Sequence, residues 1–212
     1  MALAAPERNR LTGSRLRGAA LGVAVLACLV FPGLAAKAAT PDGQYAVRGA
    51  ALVPCSIYVR ERAEGTALYQ TMAAWVDGYI SGINQQATGV FDVASFESTE
   101  LIAALLNEHC TRNPDDRLYS VVVLLVNRMA QNALEIASQK VEVRVQDRKV
   151  MLYVETIRRM QQKLGSLGVY VGKVDGRFGP ALQEAIAAYQ RSIAFDPTGF
   201  PDQLTLWRLF AP

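Results

Sequence analysis

The sequence predicts a mostly α-helical protein in which a signal peptide is followed by two small helical domains. Two observations predict this fold class. Apolar residues recur at helical spacing in several separate segments, and the stretches between those segments are rich in glycine, proline and other turn-forming residues. The chain has 212 residues, which is enough for two small domains. We expect the second domain to consist of three helices.

Residues 1–38 have the three parts of a secretory signal peptide. Residues 8–17 carry four arginines, residues 18–34 form an apolar run, and Ala36, Lys37 and Ala38 make a small-x-small cleavage pattern. A transmembrane anchor is the alternative interpretation of the apolar run. The Pro32-Gly33 break and the small residues after it favour cleavage instead. We therefore expect a secreted, periplasmic protein that keeps no permanent membrane anchor.

The charge of the chain argues against a nucleic-acid partner. The formal net charge is +3, but residues 1–38 hold five of the 22 basic residues and one of the 19 acidic ones. The remainder therefore has a formal net charge of −1. A chain without a basic excess lacks the electrostatic pattern that is typical of proteins that bind nucleic acid.

Cysteine usage agrees with export. Cys28 leaves with the signal peptide, so Cys55 and Cys110 remain as an even pair in an oxidising compartment. We predict a disulfide between them. Metal binding is the alternative, but the chain has a single histidine and lacks a second cysteine pair. We expect neither a metal nor a cofactor.

The first helical domain is predicted at residues 55–140, after a flexible mature N-terminus at residues 39–54. One helix is expected from about Thr66 to Gln86, where apolar residues recur at helical spacing. A second is expected from about residue 99 to residue 110, with Ser98 as its N-cap.

A third helix is predicted to begin at residues 113–116. Asn113 is a good capping residue, Pro114 suits the first helical position, and two aspartates follow. The helix would contain the apolar run of residues 121–126. Because that run lacks a polar gap, we expect it at the centre of the core.

Residues 141–152 are predicted as a linker between the domains. Their first part, residues 141–146, alternates strictly between apolar and polar residues. This alternation is typical of a short strand, but the preceding helix could equally continue here as a stalk. The pattern leaves both interpretations open.

The second helical domain is predicted at residues 153–212. Its first helix is amphipathic, and glycines end it; its buried face is expected to consist of Ile157, Met160, Gln161 and Leu164. A loop with four glycines follows at residues 168–180, with Asp175-Gly176 as a turn signal and Pro180 in the first turn of the next helix. That helix carries Leu182, Ile186, Tyr189 and Gln190. The last one begins after Pro201-Asp202 and carries Leu204, Leu206, Leu209 and Phe210.

This ordered set resembles the three-helix peptidoglycan-binding domain that accompanies many cell-wall amidases, carboxypeptidases and transglycosylases. The resemblance rests on Ile157 with Gln161 and Leu164, the Val174–Pro180 segment, residues 185–190, Thr198-Gly199 and residues 202–209. The chain departs from the family at Leu182, where members usually have threonine. The resemblance implies peptidoglycan as the partner and association with the cell wall.

The loop supplies the candidate peptidoglycan-binding residues. They are Tyr170, Gly172, Asp175, Gly176, Arg177 and Gly179. A glycine-rich loop exposes backbone groups that can bind sugar hydroxyls and amides, Tyr170 can stack on a sugar, and Arg177 can pair with a carboxylate. Two of these residues have a competing structural interpretation: Asp175 as a turn former and Arg177 as a solvated surface residue. Phe178 and Tyr189 are expected in the core rather than in contact with a ligand.

A catalytic site is not expected, so the predicted protein binds peptidoglycan without cutting it. His109 is the single histidine, and the adjacent Cys110 is committed to the predicted disulfide. Glu97, Glu100 and Glu108 are candidates for a transglycosylase acid only in the sense that any glutamate is. The alternative is a cell-wall-processing enzyme, or its accessory or inhibitor, with an unrecognised site.

The first domain has a resemblance of its own. Cys55, the segment 75–82, Cys110 and the following Asn113-Pro114 resemble small one-disulfide periplasmic proteins of the HdeA acid-chaperone type. They are also similar to helical immunity proteins that inhibit secreted amidases. The HdeA-type resemblance implies a domain that shields unfolded clients at low pH, and the immunity resemblance implies one that docks an amidase. The remaining interpretation is a scaffold that the second domain tethers to the cell wall. The candidate partner of the first domain is an envelope protein.

Overall fold

The structure, a computed structural model, describes residue 40 and residues 42–210. Most of the segments with helical periodicity form helices in it. The predicted signal peptide lies outside the described residues. Seven α-helices, two short 3-10 turns and one β-hairpin make up the regular structure of the described part, which confirms the mostly α fold class. The elements are α1 (Cys55–Glu64), α2 (Ala67–Gln86), α3 (Thr99–Arg112), α4 (Leu118–Met129), β1 (Lys140–Val145), β2 (Arg148–Tyr153), α5 (Val154–Ser166), α6 (Pro180–Ser192) and α7 (Gln203–Phe210).

The helices predicted at 66–86 and 99–110 are present as α2 and α3, and side chains cap both. The Thr66 hydroxyl accepts a hydrogen bond from the Tyr69 backbone N–H at 3.2 Å, and the predicted cap Ser98 accepts one from the Leu101 N–H at 3.2 Å. Such caps satisfy N–H groups that a helix start leaves without partners. Among the described residues, none of the helices has the length and hydropathy of a membrane span.

The third helix begins later than predicted. Asn113 ends α3 rather than starting α4, and its side-chain amide donates to the His109 carbonyl at 3.0 Å. The helix α4 starts only at Leu118, with Arg117 at the N-cap position. The prediction that residues 113–116 open the helix is therefore wrong.

The reason is that this turn serves the start of α1. The Pro114 carbonyl accepts from the Ser56 N–H at 2.9 Å, and the Asp116 carbonyl accepts from the Cys55 N–H at 2.7 Å. Carbonyls that point to another helix are not available for the intrahelical bonds of α4. Both partners lie about 60 residues earlier in the chain, where a local pattern gives no sign of them.

The first apolar core joins α1 to α4 around the predicted disulfide between Cys55 and Cys110. Both cysteines are fully buried. The run of residues 121–126 does not lie wholly in this core: Val121, Val122 and Val126 are buried, but Leu124 is 62% exposed. An α-helix has 3.6 residues per turn, so only one side of an all-apolar run can face the core.

The N-terminal segment predicted as a flexible tail ends against this core. Ala51 is fully buried in a short 3-10 turn, Ala50–Leu52. The Trp75 indole N–H donates to the Arg48 carbonyl at 2.7 Å. The backbone from about residue 48 onward therefore packs on α2.

The alternating segment after α4 forms a strand, which resolves the choice between strand and stalk. The strands β1 and β2 pair antiparallel, with Val143 opposite Val150. Val143 and Leu152 belong to the C-terminal core, and Val145 is also buried. Residues 141–152, predicted as a linker, thus form most of a hairpin, because the apolar side of the alternation needs a core to cover it.

A second apolar core unites α5, α6, α7 and the hairpin. Its buried members are Phe96, Leu101, Val143, Leu152, Ile157, Met160, Leu164, Leu182, Ala185, Ile186, Tyr189, Leu206 and Leu209. Two of these, Phe96 and Leu101, come from the predicted first domain. By its contacts the chain forms one compact unit from Ala46 to Pro212.

Hydrogen bonds fasten the same junction. The Gln203 side-chain amide donates to the Phe96 carbonyl at 3.0 Å and accepts from the Ser98 N–H at 2.7 Å. The Thr156 hydroxyl donates to the Ser95 carbonyl at 2.8 Å. The segment that leads into α3 is therefore bound to both α5 and α7.

Candidate functional site

The glycine-rich loop is positioned by one polar residue on the buried face of α5. Ile157, Met160 and Leu164 are fully buried, as the helical spacing predicted, and Gln161 lies among them at 1% exposure. A buried amide needs hydrogen-bond partners, because an unsatisfied polar group in a core costs free energy. Gln161 finds its partners in the loop.

The Gln161 amide uses both of its ends. The Oε1 atom accepts from the backbone N–H groups of Asp175 at 2.9 Å and Gly176 at 2.8 Å. The Nε2 atom donates to Asp175 Oδ1 and to the Arg177 carbonyl, both at 3.0 Å, and reaches Tyr170 Oη at 3.3 Å. One side chain therefore sets the backbone path of the turn at residues 175–177.

Gly176 is required by this path. Its φ is 75°, in the left-handed region, and the residue is buried. A Cβ at this position would lie 2.6 Å from Val154 Cγ1 and 3.0 Å from the Val154 carbonyl oxygen. The turn approaches the start of α5 so closely that only glycine fits without displacing it.

Tyr170 and Gly172 form the other half of the loop. The Tyr170 hydroxyl donates to the Lys173 carbonyl at 2.8 Å, which folds the segment back over the ring. A Cβ on Gly172 would overlap the Tyr170 ring. The hydroxyl is therefore engaged inside the loop, and the partly buried ring forms a wall of it.

Asp175 closes the turn with its carboxylate. Its Oδ1 atom accepts from the Arg177 N–H at 2.9 Å in addition to the Gln161 amide. These two hydrogen bonds, the Gln161 bond first, hold the pKa of the Asp175 carboxyl below its usual range. The group therefore stays ionised and keeps the turn closed at neutral pH.

The outward surface of the loop is cationic and apolar. Lys173 and Arg177 are exposed, Val174 is 45% exposed and Val171 is 101% exposed. Gly179 has extended backbone geometry and precedes Pro180 at the start of α6. The structure thus brings the six predicted binding residues into one loop, where Tyr170, Gly172, Asp175 and Gly176 shape the backbone and Arg177 offers a free side chain.

A second buried glutamine repeats the arrangement one helix later, and the sequence pattern did not indicate that either glutamine organises a turn. Gln190 Oε1 accepts from the Gly199 N–H at 2.8 Å, and its Nε2 donates to the Phe200 carbonyl at 3.0 Å and to Thr205 Oγ1 at 3.1 Å. Gly199 also has a positive φ, 68°. The available signal was a glutamine on an apolar helix face with a turn glycine soon after it.

The family comparison agrees with this geometry. Residues 154–209 match the family model described as a putative peptidoglycan binding domain. The C-terminal region carries a peptidoglycan-binding domain. The matched range begins with α5, contains the loop and α6, and ends within α7, so both buried glutamines belong to the domain.

Similarity to whole proteins is confined to a short segment. Two curated relatives, both named "Localization factor PodJL", come from Caulobacter vibrioides strains NA1000 / CB15N and ATCC 19089 / CIP 103742 / CB 15. Each is 53% identical over 49 residues, which is 23% of this chain and 5% of the relative. The chain thus covers about a twentieth of the length of these relatives. The chain has no significant match among solved structures.

Most candidate catalytic groups outside the peptidoglycan-binding domain are committed to other contacts. Cys110 is in the disulfide, and His109 Nε2 lies 2.7 Å from Asp116 Oδ2. Glu100 pairs with Arg62 at 2.5 Å, and Glu108 pairs with a neighbouring arginine of α3. Across residues 42–210, the structure does not group three side chains that could hold a metal ion.

Glu97 differs from the other glutamates because it is buried at the junction with the peptidoglycan-binding domain. Its Oε2 atom accepts from the Phe96 N–H at 3.2 Å, while Oε1 is buried without a hydrogen-bond partner. Burial, with a smaller contribution from Asp92, raises the pKa of the Glu97 carboxyl to about 7. The adjoining cavity is about 10 Å³, which is the size of roughly one water molecule.

Proposed function

We propose that this chain is a non-catalytic protein of the cell envelope that binds peptidoglycan through the loop at residues 168–180. The observation that carries the proposal is the peptidoglycan-binding domain at residues 154–209, in which Gln161 fixes the backbone of the loop. A loop that is ordered before its ligand arrives loses little conformational entropy on binding.

The outward side chains suit the ligand. Peptidoglycan offers sugar hydroxyls, amides and the carboxylates of its peptides. The Arg177 guanidinium can form a charge-assisted pair with such a carboxylate, and Lys173 adds a second cation beside it. The exposed Val171 can cover an apolar face of the ligand, while the backbone at Gly172 and Gly179 can bind its polar groups.

The proposed location is the periplasm, with the protein associated with the cell wall. Two features support it: the signal peptide predicted at residues 1–38, and the buried disulfide between Cys55 and Cys110, which is a bond typical of oxidising compartments.

The helical part at residues 55–140 is proposed to be the portion that the peptidoglycan-binding domain holds at the wall. Its candidate partner is an envelope protein, in line with its resemblance to HdeA-type chaperones and to amidase immunity proteins. Under this proposal the two parts divide the work: residues 153–212 bind the wall and residues 55–140 act on a protein.

Co-sedimentation with purified sacculi tests the binding proposal. The chain of residues 40–212 is compared with its Arg177→Ala variant and with Arg191→Ala, which removes an exposed arginine at the end of α6. We expect Arg177→Ala to weaken binding about tenfold, the value of a charge-assisted hydrogen bond, and Arg191→Ala to leave it unchanged. Equal binding by all three would remove Arg177 from the site, and absence of binding by the unsubstituted chain would overturn the proposed function.

The alternative function, a cell-wall-processing enzyme, is favoured by one observation, the raised pKa of Glu97. A carboxyl that is protonated near neutral pH is the state a general acid needs. The cavity of about 10 Å³ beside it leaves too little room for a sugar. Zymography on purified walls distinguishes the two functions: clearing by the unsubstituted chain that Glu97→Gln abolishes would establish the enzyme.

A further inference from the structure

A second cleft lies against the peptidoglycan-binding domain, on the outward face of α5. It has a volume of about 740 Å³ and is bounded on its other side by residues 88–90 and 130–135, which come from the predicted first domain. Ligand sites in proteins usually measure roughly 300–1,000 Å³. The size is therefore that of a site for a small saccharide or a short peptide.

The wall on the α5 side is a stripe of polar side chains. Arg159, Gln162, Lys163 and Ser166 follow each other at steps of three, one and three residues, so they share one side of the helix. This side is distinct from the apolar one that carries Gln161. The stripe presents two basic side chains, one amide and one hydroxyl, and of the two basic residues Arg159 is already paired with Glu155 at 3.7 Å.

The facing wall is held in place by hydrogen bonds to the peptidoglycan-binding domain. The Asn132 carbonyl accepts from Arg159 Nη1 at 2.9 Å, and the Asn132 side-chain amide donates to the Phe210 carbonyl at 3.1 Å. Bonds to both α5 and α7 keep this wall at a constant distance from the α5 stripe. The cleft is thus a built feature of the fold and exists before a ligand enters.

Several groups in the cleft have unused binding capacity. Within the described part of the chain, the side chains of Gln131, Gln162 and Lys163 form neither hydrogen bonds nor ion pairs, and all three are exposed. Of the two cations that line the cleft, Arg159 is paired with Glu155 at 3.7 Å, whereas Lys163 has no ion-pair partner among the described residues. The amides suit hydroxyl and acetamide groups, and the unpaired Lys163 ammonium suits a carboxylate.

We infer that this cleft binds an N-acetylated saccharide that carries a carboxylate, namely a segment of the peptidoglycan strand beyond the part held by the loop. The inference rests on the proposed function and adds to it: residues 88–90 and 130–135 form half of a wall-binding site. The predicted first domain then takes part in binding, whereas the proposed function alone gives it the role of tethered cargo.

Isothermal titration of the chain of residues 40–212 with two soluble probes tests the inference. One probe is the disaccharide–peptide fragment released from walls by a muramidase, and the other is the neutral N-acetylglucosamine tetramer. The cleft variants are Lys163→Ala and the double variant Gln131→Ala/Gln162→Ala. Gln70→Ala, which removes an exposed amide on α2, is the matched control. All these side chains are exposed, so thermal melting temperatures should stay unchanged.

We expect Lys163→Ala to weaken binding of the disaccharide–peptide about tenfold and to leave the neutral tetramer unaffected. The double amide variant should weaken both probes. The cleft assignment is overturned if the cleft variants bind both probes with the same affinity as the control Gln70→Ala. The proposed function still stands in that case, provided that the unsubstituted chain binds sacculi and Arg177→Ala weakens this binding. If the unsubstituted chain binds neither sacculi nor probe, both are overturned.

Discussion

The two halves of this molecule use different means to hold a turn next to a helix. In the first half, the disulfide between Cys55 and Cys110 is a covalent link between α1 and α3, and the turn at residues 113–117 then supplies carbonyls to the start of α1. In the peptidoglycan-binding domain, the amides of Gln161 and Gln190 do the equivalent work by hydrogen bonds. In the first half the turn therefore bonds to the backbone at the start of a helix, whereas in the second half a helix side chain bonds to the backbone of the turn.

Removing the disulfide should have the largest effect on stability. A cross-link over 55 residues restricts the unfolded chain, and its loss should lower the free energy of unfolding by about 4 kcal/mol. Urea unfolding of Cys55→Ser/Cys110→Ser against the oxidised chain measures this. The unsubstituted oxidised chain, kept free of reductant, serves as the control. A loss below about 1 kcal/mol would mean that the packing of α1 on α3 does not depend on the disulfide.

Replacing Gln161 should come next. Gln161→Ala leaves the N–H groups of Asp175 and Gly176 without their acceptor, and we expect a loss of roughly 3 kcal/mol in the free energy of unfolding. The adjacent Gln162→Ala removes an exposed amide and should change stability by less than about 0.5 kcal/mol. Similar values for the two variants in the same urea titration would refute the role of Gln161 as the organiser of the loop.

Glu97 should make the junction between the halves sensitive to pH. Its pKa of about 7 lies above the ordinary value of 4.5, so ionisation is costlier in the folded state, and the penalty grows as the pH rises between these values. Glu97→Gln should therefore stabilise the protein at pH 8 by about 2–3 kcal/mol and leave it nearly unchanged at pH 4. Glu184→Gln, which neutralises an exposed carboxylate on α6, is the matched control. A Glu97→Gln effect that is the same at both pH values would contradict the account.

The features that could be predicted from the sequence are those that depend on residues close together along the chain. The predicted cap Ser98 acts on a residue three positions away, so a local pattern reveals it. The partners of Asn113-Pro114 lie on α1, about 60 residues earlier, and the helix start predicted there was wrong. Leu124 is exposed because a helix presents one side to its core, which an all-apolar run conceals.

The glycines indicated a loop between α5 and α6, which the structure contains, but the organisation of that loop was not foreseen. Gln161 precedes its partners by 14 to 16 residues and belongs to another element. Its position among Ile157, Met160 and Leu164 indicated burial, but not where its amide points. The cleft on the outward face of α5 could not be predicted, since its two walls meet only through tertiary packing.

Under the proposed function, peptidoglycan binding depends on the loop that Gln161 organises. The most direct measurement is the binding isotherm of the chain of residues 40–212 on purified sacculi, alongside Gln161→Ala at a temperature where that variant remains folded. We expect saturable binding by the unsubstituted chain and binding that is at least about tenfold weaker in the variant. Equal isotherms for the two proteins, or no binding above background by the unsubstituted chain, would contradict it.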